Sequence, residues 1–377
     1  MPFWKHTNDI ISNIRILDKD NHDVLMLISS YDKTLLLMNQ RGEVLGKNYL
    51  DHAIEIDSLE TYPISTRHFN ELKFIFAGCS IRCNTVYIFD KNLQLVSKRT
   101  VGEVKGGINF IRGIKTSLNG SFLIIGRPHG VTLVINDEDF RFFDIKLNGT
   151  PVDTVLINDK TLAIANVASK EVCIYELDNL VSPSPSPLSR FILESNPSAI
   201  NALKLKNETF LVISEVDGKI SLRDINGDLL WVQRLDEPIM WRRILISDVD
   251  NDSANEIIVG CQSGIEDVSK RTFSSLFILD PYSAGTVKYK FRVRGWIKDF
   301  RILNFGNTTT VLIAAGKKLY HCAFSDSQVR DLSNYKFDKA VWTLDVYKMD
   351  DNYIFGIGFA EGEVGIGKIL YDGQITM

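Results

Sequence analysis

Short apolar stretches alternate with polar turns along the whole chain, and within many stretches apolar and polar residues alternate one by one. A two-residue period is typical of strands whose two faces have different surroundings. Turn residues such as Asn, Asp and Gly separate the stretches, for example at residues 39–42 and 224–227. No stretch of about 12 or more residues keeps a helical period. The pattern therefore predicts an all-β fold.

A longer unit repeats within this pattern. Each copy opens with the pattern apolar-x-x-apolar-x-apolar, found at residues 11–16, 200–205 and 241–246, at or near Ile108, Val152, Ile297 and Val341, and in weaker form near Ile54. Units of roughly 40–50 residues with four strands are typical of propeller blades. We predict a single β-propeller of eight four-stranded blades, with seven blades as the alternative because the second copy is poorly defined.

The predicted propeller is one domain that spans residues 1–377. The approximate blade boundaries are residues 10–51, 52–101, 106–147, 150–194, 197–236, 238–294, 295–334 and 339–377. The last copy has three predicted strands, and Met1–His6, within the N-terminal segment 1–9, is expected to supply its fourth strand and close the ring. Residues 181–190 and 262–274 are predicted to be loop insertions.

The composition narrows the classes of partner. Hydrophobic residues make up 45% of the chain and charged residues 24%, as in ordinary globular proteins. The 43 basic and 47 acidic residues leave a formal net charge of −4, which argues against nucleic acid as the main partner. The apolar runs are strand-sized, so no membrane insertion is expected. Five scattered cysteines, expected to be reduced thiols, and the lack of a secretory signal predict a cytoplasmic protein.

The sixth copy carries an acidic loop between its first two strands. Asp248, Asp250 and Asp252 alternate along this loop, and Glu256 opens the apolar strand that ends at Gly260. Residues 241–260 resemble the FG-GAP/VCBS-type propeller repeat of integrin α-chains and of intracellular trafficking and signalling scaffolds. The resemblance implies a structural Ca²⁺ held by these four acidic residues, since a hard cation prefers several convergent oxygens. The alternative is a metal-free loop with Asx turns, and no cofactor is required in either case.

Catalytic motifs are missing from the sequence. The six histidines are scattered, and the chain lacks Gly-x-Ser-x-Gly, His-Glu-x-x-His and the phosphate-loop pattern. We therefore expect a non-catalytic scaffold for protein–protein interaction, a propeller subunit of a larger intracellular complex. The alternative is a propeller enzyme of the hydrolase or lyase type, or a small-ligand binder, with its site at the central channel.

Aromatic and basic residues are concentrated in the last three copies. We predict a partner-binding surface formed by Trp241, Arg242, Arg243, Arg294, Trp296, Lys298 and Trp342. Trp and Arg are enriched at binding hot spots, and the positive charge favours a protein partner with an acidic surface or peptide. In the competing interpretation the tryptophans pack between blades, and the basic residues pair with Asp248, Asp299 or Asp345.

Overall fold

Strands separated by short polar turns pair with their chain neighbours, because each turn returns the chain beside the strand it has just left. The computed structural model describes residues 3–20, 23–63, 67–79, 83–102, 106–116, 121–135, 140–180, 182, 185–239, 243–262, 272–306, 308–325 and 328–376. The described strands form eight antiparallel sheets, which confirms the all-β propeller with eight blades.

The chain begins with an outlying strand, β1 (Phe3–Lys5). Each of the first four blades then runs outward from the axis in chain order. Their strands are β2 (Ile11–Asp20), β3 (Asp23–Ser30), β4 (Thr34–Asn39) and β5 (Val44–Tyr49); β6 (Ile54–Tyr62), β7 (Phe74–Cys79), β8 (Thr85–Asp90) and β9 (Leu95–Thr100); β10 (Phe110–Lys115), β11 (Ser121–Arg127), β12 (Gly130–Ile135) and β13 (Arg141–Lys146); and β14 (Thr150–Asn158), β15 (Thr161–Val167), β16 (Glu171–Glu176) and β17 (Ser189–Ile192).

The remaining four blades follow the same order. Their strands are β18 (Pro197–Leu205), β19 (Glu208–Glu215), β20 (Lys219–Arg223) and β21 (Leu229–Arg234); β22 (Ile244–Ser247), β23 (Glu256–Gln262), β24 (Phe273–Asp280) and β25 (Thr286–Arg294); β26 (Ile297–Phe305), β27 (Thr308–Ala315), β28 (Lys318–Ser325) and β29 (Gln328–Lys336); and β30 (Val341–Met349), β31 (Asn352–Phe359), β32 (Glu363–Ile369) and β33 (Ile375–Thr376).

Helical structure is limited to one short α-helix, α1 (Leu177–Leu180), and two 3-10 turns, Phe69–Glu71 and Pro281–Ser283, within the described ranges. None of these described helices has the length or the apolar character to cross a membrane.

Buried aliphatic and aromatic side chains fill the space between adjacent blades. In the described part of the chain they form eight clusters, one at each contact between neighbouring blades. Leu27 of the first blade, for example, shares a cluster with Ile75 and Phe89 of the second. Each sheet buries both of its faces in this way, which is why a single blade cannot fold alone and the repeats form a ring.

The ring closes through the N-terminal strand, as the sequence predicts. Strand β1 pairs antiparallel with β32, with Phe3 opposite Gly365 and Lys5 opposite Glu363. Strand β33 pairs with the other half of the same edge, where Ile375 lies opposite Ile369. Both ends of the described chain therefore share the outer position of the last blade.

The innermost strands of five blades carry an extra residue near the point where each strand begins. These bulge residues are Ser12 in β2, Val152 in β14, Ser198 in β18, Lys298 in β26 and Trp342 in β30. A β-bulge bends the strand and redirects the extra side chain. Lys298 and Trp342 thus occupy equivalent positions in neighbouring blades, at the same end of the channel.

The inner strand of the second blade has a larger irregularity than a single-residue bulge. Ile54 pairs with Cys79, and the next pair is Leu59 with Ala77, so that four residues of β6 face a single residue of β7. Within this segment Asp57 adopts a left-handed backbone conformation with φ of 59°. The extra residues explain why the second copy is poorly defined in the sequence, and they bring Asp57 into the channel lining.

Candidate binding site at the channel mouth

The inner strands surround a cavity of about 710 Å³ at the propeller axis. Its lining contains six cationic and five acidic side chains: Arg15, Arg67, Arg112, Arg243, Lys298 and Arg301, and Glu55, Asp57, Asp153, Asp299 and Asp345. Charged side chains in a partly water-excluded space are normally paired, because a buried charge without a partner is costly. The geometry of the cavity is therefore determined by which charges pair with each other.

Asp299 is at the centre of the largest group of ion pairs. Its carboxylate is 3.0 Å from Nη1 of Arg243 and also contacts the guanidinium of Arg301. Arg243 lies 3.6 Å from Asp57 as well. Because Asp57 belongs to the second blade and Arg243 to the sixth, this pair connects opposite sides of the ring.

Burial and the positive charge of Arg243 have opposite effects on the pKa of Asp299. Its side chain is only 6% exposed, and this burial raises the pKa of the carboxyl from 3.8 to about 7. Arg243 lowers the pKa, while the nearby acids Asp57 and Asp345 raise it further. Asp299 therefore exchanges its proton close to neutral pH. Burial also raises the pKa of Asp153, and the charge of Arg112 opposes this rise.

Arg67 reaches the cavity from the connection between β6 and β7, at the end opposite to the bulge residues. Its guanidinium donates to Asp345 at 2.5 and 3.3 Å and to the carbonyl oxygen of Ile16 at 3.0 Å. The neighbouring His68 contacts Asp18 at 3.1 Å, and Asp18 also accepts a hydrogen bond from Tyr347. These contacts attach the connection to the first and last blades at this end of the channel.

The opposite end, which we call the channel mouth, is formed by Trp296, Lys298 and Trp342. Nζ of Lys298 lies 3.8 Å from the ring centroid of Trp342 and 5.2 Å from that of Trp296, so the ammonium is enclosed by two aromatic rings. Burial lowers the pKa of Lys298. Among the described residues Lys298 has no acidic partner, in contrast to the arginines deeper in the cavity. Trp296 remains 39% exposed and presents an aromatic face to solvent.

The other residues of the predicted surface are arranged differently. Arg294 is exposed at the end of β25, whereas Arg243 points into the cavity and pairs with Asp299, one of the acids named by the competing interpretation. Trp241 and Arg242 fall in the gap 240–242 and are outside the described residues. The same holds for residues 263–271 of the insertion predicted at 262–274, and for residues 181, 183 and 184 of the insertion at 181–190.

The acidic loop of the sixth blade brings three of its four predicted ligands together. Oxygen atoms of Asp248, Asp250 and Glu256 lie within 4.8 Å of one another, a spacing suited to a bound cation. Asp248 also holds the loop itself, since it accepts hydrogen bonds from the backbone N–H groups of Asp252 and Ser253. Nζ of Lys288, from β25, lies 2.7 Å from Asp250 and 2.9 Å from both Asp252 and Glu256. These acidic residues therefore suit a cation, and the ammonium group of Lys288 occupies the space between three of them.

The pKa values in this loop agree with an ionised lysine. Burial alone would lower the pKa of Lys288, but hydrogen bonds to Asp250, Glu256 and Asp252 outweigh it and raise the pKa. The hydrogen bond to Lys288 lowers the pKa of Asp252, whereas burial raises the pKa of Glu256 despite the same contact.

Sequence reasoning missed Lys288, Arg67 and the cross-channel position of Asp57. Lys288 is separated from Glu256 by 32 residues, and no local motif marks it. Cys79 and Cys83 lie at the two ends of a short connection, and their Cα atoms are 6.3 Å apart, which is close enough for a disulfide. Cys173, Cys261 and Cys322 are buried and take part in no disulfide within the described residues.

Comparisons with known proteins show the fold. No protein-family model and no curated protein sequence matches the chain. Among solved structures, Sqt1 from Saccharomyces cerevisiae is similar with a TM-score of 0.70 and 12% identity, over 97% of each chain. BamB from Moraxella catarrhalis has a TM-score of 0.60 and 10% identity, over 97% of this chain and 98% of its own. BBS1N, solved in complex with ARL6DN, has a TM-score of 0.57 and 12% identity, over 98% of this chain and 95% of its own.

Proposed function

We propose that this chain is a non-catalytic interaction propeller, a cytoplasmic subunit of a larger intracellular complex, and that its channel mouth binds an acidic segment of a protein partner. The observation that carries the proposal is the position of Lys298. Its ammonium is held between Trp296 and Trp342, and no acidic side chain among the described residues neutralises it. A carboxylate from a partner would supply the missing charge.

The surroundings of Lys298 favour such a contact. Two aromatic rings limit the access of water, and an ion pair is stronger where water is excluded. Trp296 is exposed beside the ammonium, and tryptophan is among the residues most enriched at hot spots. Arg294 adds an exposed positive charge near this end of the sixth blade. An acidic peptide would therefore meet both an apolar surface and positive charge.

Two further observations support the proposal. The spacing of Asp248, Asp250 and Asp252 supports a relationship with the FG-GAP/VCBS-type repeats, which include intracellular scaffolds. BBS1N, a propeller of similar fold, was solved in complex with ARL6DN. Both observations favour a propeller that recruits another macromolecule over one that performs a reaction.

The test is a charge reversal at the channel mouth. Tagged wild-type protein, Lys298→Glu and the control Lys204→Glu are purified from native lysate, and retained proteins are quantified by mass spectrometry. Lys204 is exposed on inner strand β18, towards the end of the strand, so its reversal changes the net charge equally without altering the mouth. We expect the specific partner to be reduced by at least about tenfold with Lys298→Glu, since a hot-spot contact contributes about 2 kcal/mol or more.

Controls must show that any loss of partner binding in Lys298→Glu is due neither to unfolding nor to the change in net charge alone. Circular dichroism and the melting temperature must be the same for the two variants and the wild type. Partner binding to wild type should also weaken as the salt concentration rises, because screening reduces attraction between partly exposed charges. An identical set of retained proteins for all three forms would contradict the proposal.

A second candidate function is the binding of a small ligand inside the channel. A volume of about 710 Å³ is within the range of small-molecule sites, and Asp299 exchanges a proton near neutral pH. A thermal-shift screen of sugars, phosphate esters and carboxylates, with and without Mg²⁺, tests it. A saturable shift that is lost in Arg112→Ala would favour this candidate, and no shift with any compound would exclude it at the concentrations used.

A further inference from the structure

Three ammonium contacts define the centre of the acidic loop. Nζ of Lys288 lies 2.7 Å from Oδ2 of Asp250, 2.9 Å from Oδ2 of Asp252 and 2.9 Å from Oε1 of Glu256. A lysine ammonium has three N–H donors, so these carboxylates use all of them. The lysine therefore does for the loop what a bound cation would do: it neutralises convergent carboxylates and links them together.

The carboxylates around Nζ depend on this charge. The side chain of Glu256 is 1% exposed and that of Asp250 is 8% exposed. Oδ1 of Asp250 is buried without a hydrogen-bond partner among the described residues. Buried carboxylates without a counter-ion are strongly destabilising. The loop therefore requires a cation at this position.

A calcium ion cannot share the position with the ammonium. Ca²⁺ binds six to eight oxygens at about 2.4 Å, and the carboxylates of Asp250, Asp252 and Glu256 that would supply them already contact Nζ. One further candidate ligand, Asp248, already accepts two backbone N–H groups of the loop. Glu256 holds the N–H of Val249 through its other oxygen. Binding of the metal would require Lys288 to leave.

We propose that Lys288 is a tethered counter-ion that takes the place of a divalent metal, so that the sixth blade is complete without Ca²⁺ and becomes a Ca²⁺ site when the ammonium is removed. Lys288 belongs to the outer strand β25, whereas the acidic residues surround the connection between β22 and β23. The lysine thus joins the outer edge of the blade to its inner hairpin, as a shared metal ion would.

The test compares Lys288→Met with the control Lys290→Met. Lys290 lies two residues further along the same strand and pairs with Asp236 and Glu237, so its replacement removes the same charge outside the acidic loop. Ca²⁺ binding is measured by calorimetry and by thermal shift, with Mg²⁺ at equal ionic strength as the reference. We expect Lys288→Met to bind one Ca²⁺ with a Kd of about 10⁻⁴ to 10⁻³ M. Wild type and Lys290→Met should bind it at least about tenfold more weakly.

Each outcome decides the proposal. Wild-type protein that binds one Ca²⁺ as tightly as Lys288→Met would overturn it, because the lysine would then not occupy the cation position. A folded Lys288→Met that does not bind Ca²⁺ would overturn it as well. If Lys288→Met is unfolded in metal-free buffer, recovery of native circular dichroism with Ca²⁺ but not with Mg²⁺ supports the proposal, and no recovery with Ca²⁺ contradicts it.

Discussion

Replacement of Asp299 by asparagine should make the protein more stable at neutral and alkaline pH and leave its stability at acidic pH nearly unchanged. Burial raises the pKa of the folded carboxyl to about 7 from its ordinary value of 3.8. Between these two values the folded state holds a proton that the unfolded chain has already lost. The contribution of Asp299 to the free energy of unfolding must therefore fall as the pH rises from about 4 to about 7. Asparagine has the shape of the neutral carboxyl and does not titrate, so Asp299→Asn should lack this decline.

The size of the effect follows from the same pKa values. A rise from 3.8 to about 7 corresponds to about 4 kcal/mol, at roughly 1.4 kcal/mol for each pKa unit. The difference in free energy of unfolding between Asp299→Asn and wild type should therefore grow from near zero at pH 4 to this order at pH 8. Urea unfolding at five pH values, followed by tryptophan fluorescence, measures the difference directly.

The control is Asp51→Asn. Asp51 is exposed, and its hydrogen bond to Lys98 lowers its pKa, so any stability it contributes should be lost as the pH falls rather than as it rises. Exposed ion pairs contribute little, and this variant should therefore follow the wild-type profile. Parallel profiles for Asp299→Asn and wild type between pH 4 and 8 would refute the reasoning, since the buried carboxyl would then be no harder to ionise than in the unfolded chain.

Two further substitutions test the end of the channel opposite to the mouth and the closure of the ring. Arg67→Ala leaves Asp345, which is 2% exposed, without its closest cation, and should destabilise the protein by about 2–4 kcal/mol in urea unfolding; a loss below about 0.5 kcal/mol would contradict the pairing. Trp4→Ala removes a ring that packs against Gly42 and the cluster between the first and last blades, and should lower the stability by about 2–3 kcal/mol in the same assay; an unchanged unfolding midpoint would mean that β1 does not hold the ring closed.

The architecture was predictable from the sequence because each blade is formed by one continuous segment of the chain. Its strands are consecutive in the chain, and the alternation in residues such as 11–16 reports the burial of two faces directly. The missing fourth strand of the last copy likewise indicated the role of β1. The prediction was less definite at the second copy, where the extra residues around Asp57 break the alternation that defines the repeat.

The site was predictable only where its residues are neighbours in the repeat. Trp296 and Lys298 are two residues apart, and Trp342 follows at the equivalent bulge of the next blade, so one pattern covers all three. Ion pairs between residues far apart in the chain have no fixed spacing in the repeat. Arg243 pairs with Asp57 on the opposite side of the channel, and Lys288 on an outer strand pairs with the acidic loop. A periodic sequence does not encode these pairings, because the partners belong to different strand positions.

The shared outer edge of the last blade has a consequence for the order in which the protein assembles during synthesis. Contacts between successive blades join residues that are roughly one repeat apart, whereas Phe3 meets Gly365 across nearly the whole chain. Seven of the eight contacts between blades can therefore form as the chain leaves the ribosome, and the contact of the first blade with the eighth must wait. Until residues 341–369 are made, the apolar face that contains Ile14, Ile16 and Met26 has no partner. The nascent protein thus carries an exposed sheet face for most of its synthesis, which is the kind of surface that chaperones bind.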